Sequence, residues 1–399
     1  VDGFFVATPD QIKAGAVADV YFQRTAAILD AKGVEAYVRA EFTAKSLPGE
    51  WDWAVFAGLA EVMHLLQGVD VTIRGMEEGA IFRAGEPVLE IEGSYREFGV
   101  HETAALGLIC QASGIATRAA RCRKATGPDR KLISFGARRM HPAIAPMIER
   151  AAYIGGCDGV AVVASAELLG IEPAGTMPHA LILIMGDTVR AARAFDEVID
   201  EQIPRIALID TFQDEKFAAI EVAEALGSRL AALRLDTPSS RRGDFLEILS
   251  EVRWELDMRG HTEIGLFVSG GIGEETILDL NPIVDGYGVG GWISAAPIVD
   301  VSMDIVEIDG RPLAKRGKWS GAKQVLRCVG CSADDVVPLH LTDEWPDSCP
   351  DCGSDLEPLL ALQMRGGVPT GAQLPAHEIR QRLLQRLDGF EIDWGDEGL

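Results

Sequence analysis

The stretch Glu263-Ile-Gly-Leu-Phe-Val-Ser-Gly-Gly271, continued by IGEETILDLNPIVDG and closed by Tyr287-Gly-Val-Gly-Gly291, decides the fold. An aliphatic run ends abruptly in Ser-Gly-Gly, a helix-like stretch follows, and a second run, Ile283 to Tyr287, ends in Gly-Val-Gly-Gly. The same unit recurs upstream. Lys131 to Phe135 precedes GARR, Gly159 to Ala164 precedes Ser165, Ile206 to Ile209 precedes Asp210-Thr211, and Leu230 to Leu235 precedes Asp236-Thr237. His179 to Met185 is one more candidate strand, in the longest gap. Runs that are apolar throughout, at spacings of roughly 20 to 35 residues, belong to βα units of a parallel sheet covered by helices. The expected fold is α/β, an irregular βα barrel, closed or nearly closed, with its chemistry at the carboxyl ends of the strands.

The flanks read differently. Short strands at Asp70 to Ile73 and Pro87 to Ile91, with turns at Pro48-Gly49 and Gly85-Glu86-Pro87, predict an α+β domain over residues 1–112. The barrel is assigned to residues 113–295. Residues 296–399, with a strand at Ser302 to Ile308, a hairpin turn at Asp309-Gly310 and a helix at Ala376 to Leu387, are expected to complete the first domain. The chain has 399 residues, 47% hydrophobic and 25% charged, enough for two or three domains with real cores. A formal charge of -24 argues against sequence-independent binding to nucleic acid or an anionic membrane. No run approaches the roughly 20 apolar residues of a membrane helix and the first thirty residues carry no secretory core, so the expected location is cytoplasmic.

Of seven cysteines, Cys110, Cys122 and Cys157 stand alone in apolar segments and read as buried thiols. Cys328-x2-Cys331, seventeen residues, then Cys349-x2-Cys352 is the spacing of a four-sulfur structural zinc knuckle, placed at 326–355. The two glycine loops, Ser269-Gly270-Gly271 and Gly288-Val289-Gly290-Gly291, suit a phosphate cradle made by backbone N–H groups and the helix that follows. Phe135-Gly136-Ala137-Arg138-Arg139 sets two guanidinium forks beside an aromatic ring, a pattern for a planar anionic substrate. Asp210 and Asp236, with Arg234 nearby, suit sugar hydroxyls or a divalent metal. His179, in Gly175-Thr176-Met177-Pro178-His179, fits a proton carrier, a nucleophile or a satisfied structural histidine.

In their order these motifs resemble the type II phosphoribosyltransferases, and among them the shorter, zinc-knuckle-bearing nicotinate phosphoribosyltransferases. The resemblance runs from Asp19-Val20-Tyr21-Phe22-Gln23-Arg24 through Glu102, Ser113-Gly114-Ile115-Ala116-Thr117, the FGARR segment and Tyr153-Ile154-Gly155-Gly156-Cys157-Asp158. It continues through the GTMPH segment, Asp210-Thr211, Arg234-Leu235-Asp236 and both glycine loops. It implies transfer of phosphoribosyl from phosphoribosyl pyrophosphate to nicotinate, with Mg2+ and with ATP coupled through a phosphohistidine at His179. By the same resemblance Tyr21, from the partner subunit of a homodimer or higher homo-oligomer, and Phe135 would sandwich the pyridine. Arg138, Arg139 and Arg234 would serve the carboxylate and pyrophosphate, and Asp236 the ribose. Ser269, Gly270, Gly271, Gly288, Gly290 and Gly291 would hold the 5'-phosphate, and Asp158, Thr176, Asp210 and Thr211 are further substrate-binding positions. The catalytic set so implied is His179, Arg138, Arg234 and Asp236. Two alternatives stand beside it. Quinolinate phosphoribosyltransferase shares the fold but needs extra cations for a second carboxylate, and a ligand-sensing protein would be expected to lack the phosphate loops.

Overall fold

A computed structural model describes residues 3–49, 51–236, 243–392 and 394. Thr237, at one expected strand end, lies outside the described residues. The chain divides into two compact units, one comprising Arg118–Ala296 and the end of the chain, the other Val1–Thr117 and Pro297–Asp393.

The first of these units carries a six-stranded sheet. Its strands are β1 (Lys131–Ser134), β2 (Gly159–Val160), β3 (Arg205–Leu208), β4 (Leu230–Leu235), β5 (Gly265–Ser269) and β6 (Gly286–Val289). They lie in the order β2-β1-β6-β5-β4-β3 and every pair is parallel. Among the described residues the end strands β2 and β3 do not pair, so the sheet is an open half-barrel and the expected closure is corrected. One expected strand is cut short and another is absent. After Val160 the N–H groups of Ala161 and Val162 are taken by the Glu149 carboxylate, and Val163–Leu169 is a helix instead of the end of a strand. His179–Met185 is also a helix, opened by Pro178 and closed by a left-handed Gly186 at φ 78°. Seven apolar residues between two such breakers fit either element, and periodicity alone does not separate them.

Register aligns the carboxyl edge. Val289 faces Ser134, Gly288 faces Ser269, Val268 faces Leu235 and Leu208 faces Arg234. The segments that begin at Phe135, Gly290, Gly270, Asp236 and Ile209 therefore leave the sheet along one edge.

The other unit holds a seven-stranded antiparallel sheet built from both ends of the chain. Its order is Arg311–Pro312, Val301–Ile308, Tyr37–Ala44, Pro87–Ser94, Val71–Gly75, Ala361–Arg365 and Val368–Pro369. Asp309 and Gly310 both take positive φ, 50° and 71°, and close the hairpin that pairs Ile308 with Arg311. Two positive φ values in a two-residue turn match the right-handed twist of the strands. The Ala376–Leu387 helix buries Ile379, Leu383 and Leu387 at four-residue spacing.

The Ser113-Gly114-Ile115-Ala116-Thr117 segment gains a physical explanation in this unit. It lies within the helix Glu102–Thr126. The Ser113 hydroxyl accepts from the Ala57 N–H at 3.0 Å and donates to the Ala57 carbonyl at 3.2 Å. Thr117 accepts from the Val55 N–H at 2.8 Å. Between them Gly114 lets a second backbone approach, since a Cβ there would lie 2.1 Å from the Pro297 carbonyl oxygen. That oxygen belongs to the main chain and has nowhere cheap to go. Gly114→Ala is accordingly expected to cost about 2 to 4 kcal/mol, and a urea midpoint equal to that of the parent protein would refute the close approach.

Candidate active site

The Arg234 side chain, on β4, organises the carboxyl edge of the parallel sheet. Its Nε donates to Ser269 Oγ at 2.9 Å, Nη1 donates to Thr176 Oγ1 at 2.5 Å, and Nη2 pairs with Asp236 Oδ1 at 2.6 Å. Its guanidinium carbon stands 5.5 Å from the centre of the Phe135 ring. Ser269 Oγ donates in turn to Asp236 Oδ1. A planar fork with five donors is suited to such a junction, because it holds three groups in fixed directions at once.

Behind this junction lies His179, the first residue of its helix. Its Nδ1 is 3.1 Å from Thr211 Oγ1, and its Nε2 is 3.8 Å from Asp210 Oδ1 and 3.7 Å from Asp236 Oδ2. Nε2 is buried and makes no hydrogen bond among the described residues. The Asp236 N–H donates to Asp210 Oδ2 at 2.8 Å, which ties the ends of β3 and β4.

A cavity of about 520 Å3 opens over the edge. Phe135, Arg138, Arg139, Thr176, Arg234, Asp236, Ser269, Gly270, Gly271, Gly288, Gly290 and Gly291 all line it. Arg138 and Arg139 are exposed in a short 3-10 turn, with no partner among the described residues, and stay available to an anion. Gly288 is where the Phe135 ring lies, for a Cβ there would meet ring carbons at 2.3 and 2.5 Å. His179, Asp210 and Thr211 reach the cavity only through Asp236.

Within this unit one expected position is not brought to it. Asp158 precedes β2, at the amino edge of the sheet, where it pairs with Arg123 at 2.6 Å and accepts the Leu132 N–H at 2.8 Å. Its neighbours at that edge occupy the carboxylate, which is consistent with joining β1 to β2. Tyr21 belongs to the other unit, exposed on the helix Val20–Lys32. In the same unit, burial and the nearby Asp304 push the Glu102 carboxyl up to about 7.

Sequence reasoning missed Glu149. It is fully buried on the helix Ala145–Ile154, lines the cavity, and accepts the N–H groups of Ala161 and Val162 at 3.1 and 3.0 Å. The one available signal was an acid between Ile148 and Ala151 on an otherwise apolar helix face.

The cysteine motif closes as its spacing predicts. Cys328, Cys331, Cys349 and Cys352 bring their sulfurs within 4.8 Å of one another, a set that could hold a metal ion. Gly330 and Cys331 point their N–H groups at Cys328 Sγ, at 3.3 and 3.4 Å, and a Cβ on Gly330 would meet the Ser354 side chain at 2.4 Å. Hydrogen bonds from Ser354, with help from the neighbouring thiols, pull Cys352 down to about 6. The Ala333 backbone favours a Cys331 thiolate, but the neighbouring thiols push Cys331 up to about 12. Cys110, Cys122 and Cys157 are buried and unbridged.

Comparison with known proteins now bears on this geometry. The N-terminal domain model of quinolinate phosphoribosyl transferase matches residues 19–113, and its C-terminal domain model matches residues 115–304. The chain belongs to the type II phosphoribosyltransferase family. Human nicotinate phosphoribosyltransferase is 32% identical over 413 residues, covering 82% of this chain and 75% of that protein. A Mycobacterium tuberculosis nicotinate phosphoribosyltransferase is 33% identical over 281 residues, covering 66% of this chain and 61% of its own length. The chain thus spans about three fifths of that relative. The crystal structure of nicotinate-nucleotide pyrophosphorylase from Pyrococcus furiosus superimposes with a TM-score of 0.94 at 51% identity, over 98% of this chain and 100% of that one. Human nicotinic acid phosphoribosyltransferase shares the fold, with a TM-score of 0.75 at 20% identity over 94% of each chain.

If the cavity takes a planar substrate against the Phe135 ring, Gly288→Ala tests the ring's position. The added methyl must push the ring aside at a cost of about 1 to 3 kcal/mol, and transfer activity should fall at least roughly tenfold. Parent-level activity with an intact fold would show that the ring's position does not matter.

Proposed function

We propose that the chain transfers a phosphoribosyl group from phosphoribosyl pyrophosphate to the ring nitrogen of nicotinate, giving nicotinate mononucleotide and pyrophosphate. The carrying observation is the cavity at the strand ends, where an aromatic ring, three guanidinium groups, two carboxylates and two glycine loops converge. Displacement at the anomeric carbon spreads positive charge over the ribose while negative charge gathers on pyrophosphate. Asp236 is suited to the ribose, being held rigid by Arg234 and Ser269. Arg138 and Arg139 are free to take the pyridine carboxylate or the leaving group, and Phe135 offers a face for the ring. The backbone N–H groups of Gly270, Gly271, Gly290 and Gly291 suit the 5'-phosphate. The name of the human relative, nicotinate phosphoribosyltransferase, favours the same pyridine.

Quinolinate remains the competing substrate, and the family models carry that name. A second carboxylate needs further cations, whereas among the described residues no Lys lines this cavity and Glu149 lies in its wall. Mixing the protein with phosphoribosyl pyrophosphate, magnesium and each pyridine in turn is expected to release pyrophosphate with nicotinate. Release with quinolinate and none with nicotinate would overturn the assignment.

Three accessory features belong to the same reading. Magnesium is assigned to the pyrophosphate of the donor, since among the described residues only the cysteine cluster unites three or more ligands for an ion. ATP coupling would run through His179, whose Nε2 lies beside two carboxylates and is not tied by a hydrogen bond among the described residues. Tyr21 would complete the ring sandwich from the partner in a dimer, which makes assembly part of the site. The four thiols suit structural zinc, a closed tetrahedral shell with no position left for catalysis. Metal analysis is expected to find about one zinc per chain, and its removal by chelator to lower the melting temperature. A clearly substoichiometric zinc content in protein purified without chelator would remove the knuckle.

A further inference from the structure

Behind the cavity a single carboxylate grips both glycine loops. Glu274, the first residue after the loop Ser269 to Gly273, is 5% exposed. Its oxygens accept from Arg118 Nη1 at 3.0 and 3.2 Å, from Arg121 Nε at 3.3 Å, and from the indole N–H of Trp292. Trp292 directly follows Gly291 and so belongs to the second loop. The Arg118 guanidinium lies 4.5 Å over its ring, and the same ring packs against the first loop at Gly273, where a Cβ would sit 3.1 Å from the indole. A carboxylate from one loop thus holds the side chain of the other, and a stacked arginine covers the joint.

The arrangement answers a problem that the loops create. Strand pairing joins them as far as Ser269 opposite Gly288. Beyond that point both loops are rich in glycine, which has no side chain with which to hold a neighbour and loses the most freedom on ordering. An anion cradle made of backbone N–H groups binds well only if those groups are spaced before the ligand arrives.

We propose that Glu274 and Trp292 are positioning residues that set the separation of the two glycine loops, and through it the affinity for the 5'-phosphate of a phosphorylated ribose. The proposal rests on the reading of those loops as a phosphate cradle. Neither residue is among those that line the cavity. Their effect is expected chiefly at the phosphate, since neither side chain is hydrogen-bonded to Phe135, Arg138 or Arg139 at the pyridine end.

The test uses the full chain with Trp292→Phe and Glu274→Gln. The first substitution keeps an aromatic ring at the position and removes the indole N–H together with the five-membered half of the ring that packs at Gly273, and it decides the matter if the second, which unbalances a buried ion pair, does not fold. Ribose 5-phosphate is titrated calorimetrically, and KM is measured separately for phosphoribosyl pyrophosphate and for nicotinate. The ribose 5-phosphate Kd and the donor KM should rise about five- to tenfold, with the nicotinate KM unchanged. An unaltered ribose 5-phosphate affinity in folded Trp292→Phe would overturn the proposal, as would equal rises in both KM values. If the parent protein binds no ribose 5-phosphate, the phosphate cradle and the clamp fall together. If it binds ribose 5-phosphate but does not turn over nicotinate, only the choice of pyridine is lost, and the binding constants still decide the clamp.

Discussion

One guanidinium fixes the carboxyl edge of the parallel sheet. Arg234 is largely buried, at 12% side-chain exposure, and a charge in that position must be paired and hydrogen-bonded or it destabilises the fold. It meets that demand with Asp236 just past the end of its own strand, Ser269 at the end of the next, and Thr176 from the segment after β2. Three stretches far apart in sequence are thereby held in one geometry. Through the Asp236 N–H the same order passes to Asp210, and from there to His179. Removing the charge would release the whole edge, not one contact.

Around that junction, space is made by omission. Gly288 leaves room for the Phe135 ring, and Gly136 leaves room for Ser294 and the Gly290 carbonyl, which a Cβ would meet at 2.5 and 2.6 Å. The helices that follow the glycine loops run only from Glu274 to Leu280 and from Gly291 to Ser294. Helices of so few residues have small dipoles. An anion at the loops would depend on their own N–H groups and on the arginines, and less on helix termini than the loop motifs alone suggest.

What could be read in advance was what neighbouring residues dictate. Aliphatic runs that stop at glycine or aspartate marked the strands Lys131–Ser134, Arg205–Leu208, Leu230–Leu235, Gly265–Ser269 and Gly286–Val289 to within a few residues. Their shared direction put Arg138, Arg234, Asp236 and both glycine loops at one edge. Where an apolar run was short and bounded by breakers, as at His179–Met185, the chain chose a helix, because nothing local opposed it. Glu149 and Glu274 were invisible for the opposite reason. Each looks like an ordinary helix acid, and only the burial of its carboxylate against distant N–H groups marks it out.

By itself the sequence determined the βα repeat, the Asp309-Gly310 hairpin and the clustering of four thiols, since each follows from the conformational or ligand chemistry of residues close along the chain. Tertiary structure alone decided that the sheet stays open, that Asp158 faces the amino edge, and that Arg234 rather than the arginine pair at 138 and 139 is the structural centre of the cavity. Those outcomes turn on which strand ends meet and which charges are thereby shut away from water. Burial is a property of the folded chain, and no local spacing encodes it.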